Sequence, residues 1–189
     1  MITLQDTDIV SALQEDGERG FRLLMAKYKQ MVYWHIRRLV VSHDDAQDAV
    51  QETFIRVFRS FDQFKGKNSL EQLQEKCSLV AWIYRIATNE ALRILQRRHS
   101  EQLSLENVLV EANRLKAESY VDYNDLEAVK LQKAIVSLPT KQQLAFNLRY
   151  YDELGYDEIA NITGSTPANV KVNYHIAKEK IVKYMKTND

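Results

Sequence analysis

Apolar residues recur along most of this chain at intervals of three and four, the spacing of one face of an α-helix. Residues 6–16 give a short helix ended by Asp16-Gly17. Residues 18–41 give a longer one with Phe21, Leu24, Tyr28, Met31, Val32, His35 and Leu39 on one side. Ser42 starts a third, its hydroxyl and Asp45 forming a capping box. In that helix Ala46, Ala49, Val50, Thr53, Phe54, Val57, Phe58 and Phe61 form a wide apolar stripe. Asp44, Asp48, Gln51, Glu52, Ile55 and Arg59 fall on the opposite face. Most such faces are solvated surface; the sharper reading is a docking face for a partner.

Phe61 to Ser69 reads as a loop with two aromatics, two lysines and a glycine, and Leu70 to Cys77 as a short helix capped by Ser69 and Gln72. Leu79 to Arg98 is helical and carries Trp82, Tyr84, Arg85, Asn89, Arg93, Arg97 and Arg98. Rings interleaved with arginines suit single-stranded nucleic acid, because rings stack on unpaired bases and Arg holds phosphates. Ile83 and Ile86 are expected in the core, and Trp82 divided between the two roles. Residues 99–125 lose the periodicity and read as a linker, with partial helix around Asn113–Tyr120. Leu126 to Leu138 is helical up to Pro139, and Thr140 is expected to cap the next helix, which contains Leu144, Ala145, Leu148 and Tyr151.

Tyr156 to Ala177 has the layout of a helix-turn-helix. Ile159, Ala160 and Ile162 lie in its first helix, and Gly164 ends it, since glycine takes positive φ without a Cβ clash. Ser165 or Thr166 caps the second helix, and Pro167 suits its first turn, where no N–H is needed. Val170, Tyr174, Ala177, Ile181 and Tyr184 make one apolar stripe. The other side, with Ala168, Lys171, Val172, His175 and Ile176, is left for contact, and Lys178, Lys180, Lys183 and Lys186 extend it as a basic tail suited to phosphates. An αα-hairpin that only packs a core would share the apolar part of this pattern; a second helix able to enter the DNA major groove explains the rest.

No alternating stretch predicts a strand, so the chain is expected to be all-α, with two helical domains joined by a linker. Its length of 189 residues suits one domain or two small ones. No apolar run has transmembrane length and the N-terminus lacks a signal-peptide layout. One cysteine excludes an internal disulfide and suits a reducing cytoplasm. The four His are scattered, so no metal site and no cofactor are expected. The net charge of zero hides a split. Residues 1–100 hold 15 basic against 13 acidic side chains, residues 101–127 hold 2 against 7, and residues 128–189 hold 9 against 6. Two mildly basic segments flank an acidic one.

Two stretches then carry a resemblance. DDAQDAVQETFIRVFRSFDQF with SLVAWIYRIATNEALRILQRR resembles region 2 of the extracytoplasmic-function (ECF) group of bacterial sigma factors. LPTKQQLAFNLRYYDELGYDEIANITGSTPANVKVNYHIAKEKI resembles region 4 of the same group. The order of the two and the linker between them also match. The resemblance implies a non-enzymatic transcription initiation factor, with residues 1–99 as region 2, 100–126 as an acidic flexible linker and 127–189 as region 4. It implies that Asp44, Asp48, Gln51, Glu52 and Ile55 dock on core RNA polymerase. It assigns the −10 promoter element to Phe64, Lys65, Lys67 and Asn68 after Phe61, and to Trp82, Tyr84, Arg85, Asn89 and Arg93. A base flipped from the stack there would cost a few kcal/mol to extrude. It assigns the −35 element to Thr166, Ala168, Asn169, Lys171, Val172, His175, Ile176 and Lys178. Core polymerase and promoter DNA are the implied partners, an anti-sigma factor is a candidate third, and neither membrane insertion nor a small-molecule substrate is implied.

The sequence departs from the family at three places. The segment from Gly66 to Trp82 is longer than usual. Asn173 and Ile176 stand where relatives often carry Arg after the recognition-helix valine. Val172 is apolar where a small polar residue is common, and can meet a thymine methyl. The alternative function is a helix-turn-helix regulator whose N-terminal helices dimerise or sense a signal. A dimerisation helix has no need for Trp, Tyr and Arg together, which argues against it. A purely protein-binding adaptor has no need for the basic last helix, and no nucleophile–base set, phosphate loop or metal cluster points to an enzyme.

Overall fold

A computed structural model describes residues 5–40, 42–67, 79–101 and 126–187. Among them are eight helices and no strand: α1 (Asp6–Glu15), α2 (Gly17–Val40), α3 (His43–Lys67), α4 (Leu79–Glu101), α5 (Leu126–Val136), α6 (Thr140–Tyr150), α7 (Tyr156–Thr163) and α8 (Pro167–Thr187).

The first four form one bundle. Leu24, Tyr28, Val32, Ile36 and Leu39 of α2 meet Ala46, Val50, Phe54, Val57 and Phe61 of α3 and Leu79, Ile83, Ala87 and Ala91 of α4. α1 lies on α2 at close range. A Cβ on Gly20 would sit 2.2 Å from the Leu13 backbone nitrogen, so only glycine fits this crossing. Tyr28 donates its hydroxyl to Asp6, which also holds Lys27 Nζ at 2.5 Å. Burial, and then the Asp6 carboxylate, push the Tyr28 phenol well above its ordinary pKa.

The second bundle is α5 to α8. Ala134, Ile135 and Leu138 pack with Phe146, Ala177 and Ile181. Leu148, Ile159, Ala160, Ile162 and Val170 form a second cluster, which also takes in Ala81 and Tyr84 of α4. The helical bundles therefore touch, and Leu144 of α6 joins the core of the first.

Several expectations change. The stretch read as a loop from Phe61 stays helical to Lys67, through Gly66. Phe61 is still buried, so the helix is anchored there and the following residues extend an existing helix at little cost. Met31 and Phe58, placed on apolar stripes, are exposed at 44% and 52%. Both sit at the stripe edges, and Phe58 meets Phe21 edge-on at 5.2 Å. Thr140 does not cap α6; Pro139 occupies the N-cap position, and Thr140 begins the helix. Ser42 caps α3, accepting from the Asp45 amide at 3.3 Å, while its own amide bonds the Val40 carbonyl. The short helix expected at Leu70–Cys77 and the partial helix around Asn113–Tyr120 lie outside the described residues.

Candidate functional site

The turn of the helix-turn-helix is built as its residue types require. Gly164 takes φ 63°, ψ 34°, a conformation that costs other residues roughly 1–2 kcal/mol. The Ser165 amide returns to the Ala160 carbonyl at 3.0 Å. Thr166, rather than Ser165, caps α8, its hydroxyl accepting the Asn169 amide at 3.2 Å. The start of α7 is closed by Glu158, which accepts the Gly155 amide at 2.9 Å.

This geometry fixes which side of α8 turns out. Val170, Ala177 and Ile181 are buried, with Tyr174 and Tyr184 packed at the edge. Thr166, Ala168, Asn169, Lys171, Val172, His175 and Lys178 are exposed, Val172 at 56%. Ile176 is half-buried and only borders the face. Asn173 turns its side chain back to the Asn169 carbonyl at 3.0 Å. Lys178 lies with Nζ 5.8 Å from the centre of the Tyr174 ring, so the ring holds the ammonium beside the face. A helix with its N-terminal half exposed over two turns has the shape that fits a major groove.

On α3, Asp44, Asp48, Gln51 and Ile55 are exposed, Ile55 at 43%. Glu52 is half-buried and engages Arg56 at 3.0 Å. A groove between α2 and α3 adjoins this face, lined by Met25, Lys29, Tyr33, Gln47 and Gln51. The reading of α3 alone missed the α2 contribution; Met25 and Lys29, one turn apart on the flank of the α2 stripe, were the available signal.

On α4 the expected residues divide. Arg85, Asn89 and Arg93 are exposed, and Trp82 is half-buried against the first core. Glu90 is buried between them and holds both Arg56 and Arg93 at 2.8 Å. Tyr84 is not on the exposed side. It is 1% accessible, packed among α7 and α8 residues, with its hydroxyl 3.3 Å from Asp152 Oδ1. Burial and then the Asp152 charge raise its pKa far above the usual phenol value, so it stays a neutral donor. Tyr84 therefore cannot stack on a base in this arrangement. Phe64, Lys65 and Lys67 belong to the last turns of α3, not to a loop, and Asn68 lies outside the described residues.

Asp152, in the turn after α6, was singled out by no sequence pattern. Its carboxylate gathers Arg38 Nη1 at 3.0 Å, His35 Nδ1 at 3.3 Å and the Tyr84 hydroxyl. A carboxylate only accepts, so the His35 tautomer that bonds it carries its proton on Nδ1. Among the described residues no cluster of His, Cys, Asp or Glu could hold a metal ion, and no helix is long and apolar enough to cross a membrane.

Comparison with known proteins agrees with this geometry. The family profile of Sigma-70 region 2 matches residues 24–101, and that of Sigma-70, region 4 matches residues 128–181. The chain is 29% identical to the ECF RNA polymerase sigma-E factors of Salmonella typhimurium and Escherichia coli over 188 residues, covering 94% of this chain and 93% of theirs. The sigma-E factor of Haemophilus influenzae is likewise 29% identical, over 192 residues. Two solved structures share the fold. The sigma factor RpoE of Bartonella quintana, crystallised with the anti-sigma factor NepR, has a TM-score of 0.68 at 21% identity, covering 89% of this chain and 98% of that one. CnrH in complex with the cytosolic domain of CnrY has a TM-score of 0.67 at 16% identity, covering 97% and 99%. With both sigma regions matched in order and sigma-E relatives aligned over nearly its whole length, this chain belongs to the ECF group of sigma factors.

Proposed function

We propose that this protein binds core RNA polymerase and directs it to promoters, reading the −10 element through α4 and the −35 element through α8. The observation that carries this reading is that one chain keeps two separate exposed faces after its helices have packed. One is acidic with an apolar spot, Asp44, Asp48, Gln51 and Ile55 on α3. The other is polar and basic around an apolar centre, Lys171, Val172 and His175 on α8. An acidic face is repelled by phosphate and suits a protein partner; a basic helix face suits DNA.

In this reading residues 1–99 form region 2, residues 127–189 region 4, and the acidic residues 100–126 join them. The α3 face docks on polymerase. Trp82, Arg85, Asn89 and Arg93 serve the melted −10 strand, together with Phe64, Lys65, Lys67 and Asn68. Thr166, Ala168, Asn169, Lys171, Val172 and His175 serve the −35 duplex, with Lys178 on phosphate and Ile176 at the margin. The protein acts without a catalytic site of its own, in the cytoplasm, where core polymerase and promoter are found. Because a protein of the same fold, RpoE of Bartonella quintana, was crystallised with an anti-sigma factor, an anti-sigma factor is the third expected partner. A titration of purified core polymerase with labelled protein tests the reading: saturable binding lost in Asp48→Arg/Ile55→Glu supports it, and no binding refutes it.

A further inference from the structure

Val172 is the outermost side chain of α8, and it is apolar. At about 100° per residue it falls roughly opposite Val170, Ala177 and Ile181, the buried stripe. It stands in the second turn, in the N-terminal part that leads such a helix into a groove. A single exposed valine on a protein surface is ordinary. One at the crown of a reading helix limits what that helix can read.

The neighbours sharpen the choice. Ala168, one turn earlier, is small and exposed, and Ile176, one turn later, borders the face, so an apolar line runs through Val172. Asn173, the next residue, donates its side-chain amide back to the Asn169 carbonyl at 3.0 Å instead of reaching outward. No acidic side chain stands between Glu158 and Glu179. A carboxylate is the side chain that accepts from the cytosine amino group in the major groove, and this face offers none. Thymine presents a 5-methyl group on the same edge, which an apolar side chain takes out of water favourably. A cytosine amino group pressed against Val172 would lose its water and gain no carboxylate in exchange.

We infer that Val172 is a specificity-determining residue that selects an A·T pair at one −35 position by contact with the thymine 5-methyl group, and that cytosine is rejected there through its unanswered amino group. The inference rests on the −35 reading proposed above and adds the base that is read. A small polar residue is common at this place in relatives, so the methyl contact is a property of this chain and not of the family. Lys171 flanks Val172 and remains available for a guanine edge or a phosphate, so the two side chains read by different chemistry.

Selection by core polymerase loaded with the full chain, from duplexes randomised over both promoter elements, tests this. The wild type should return a −35 element with one position held as thymine, and Val172→Ala the same element with that position relaxed. Val172 is 56% exposed, so the variant should keep the wild-type thermal midpoint. Deoxyuridine at that position then removes the methyl group and leaves the hydrogen bonds of the base pair in place. The wild type should bind the deoxyuridine duplex about fourfold more weakly, the contribution of one buried methyl group, and Val172→Ala should bind both duplexes alike. Equal binding of the two duplexes by the wild type, or a thymine preference that Val172→Ala keeps, would overturn the inference. A wild type that selects a −35 element with no dependence on the thymine methyl sinks only the role of Val172. One that selects no −35 element sinks the −35 reading and this inference with it.

Discussion

Arg56 on α3 and Glu90 on α4 meet at 2.8 Å, tying the helix with the exposed acidic face to the helix that carries Trp82 and Arg93. Glu90 is buried, and its second oxygen holds Arg93, also at 2.8 Å. Arg56 in turn reaches Glu52. One buried carboxylate thus links α3 and α4 beside their shared apolar core.

Removing that carboxylate leaves two arginines without their shared partner. Glu90→Ala is expected to destabilise the protein by about 1–3 kcal/mol, since both partners stand partly in water. The midpoint of urea unfolding checks this. An unchanged midpoint would show that the network only decorates the bundle.

The α1–α2 crossing is tighter. Gly20→Ala places a methyl group against the Ala12 and Leu13 backbone, which cannot rotate away. The expected loss is about 1–3 kcal/mol, with early amide exchange in α1. At Gly164 the expected cost of Gly164→Ala is smaller, about 1–2 kcal/mol, set by its positive φ rather than by crowding.

On the docking face, Asp48→Arg combined with Ile55→Glu should weaken core-polymerase affinity while leaving thermal stability unchanged, because both side chains are exposed. Glu52 is the poorer choice for this test, since it already supports Arg56. Equal polymerase affinity of variant and wild type would remove α3 as the docking helix.

On the recognition helix, Lys171→Ala separates two roles. A guanine contact predicts a loss of about 1–3 kcal/mol and relaxed selectivity at one −35 position. A phosphate contact predicts a similar loss on every sequence and a salt slope lower by about one. Lys171 lies near the N-terminal end of α8, which enters the groove first, so the base contact is expected. Binding of polymerase loaded with the variant, across −35 changes and salt concentrations, reads the difference.

The helix-turn-helix was legible from sequence because its signals are local. Gly164, Thr166 and Pro167 each match one backbone requirement, and the stripe from Val170 to Ile181 fixes the outward side. The α3 face was legible for the same reason. What sequence hid was non-local. Asp152 meets His35 and Arg38 more than a hundred residues away, and no period announces such a meeting. Tyr84 looked like a stacking ring because aromatic–arginine spacing does not reveal which ring a second domain will cover. The continuation of α3 through Gly66 was missed because a glycine reads as a breaker, yet buried Phe61 holds the helix past it.

The central claim is tested most directly by transcription with purified core polymerase on promoter DNA, with and without this protein. The account predicts transcripts from a defined start only when the protein is present, lost in Asp48→Arg/Ile55→Glu and redirected or weakened in Lys171→Ala. Core polymerase that gives the same transcripts with and without the protein, across a library of the organism's own promoter fragments, would contradict it.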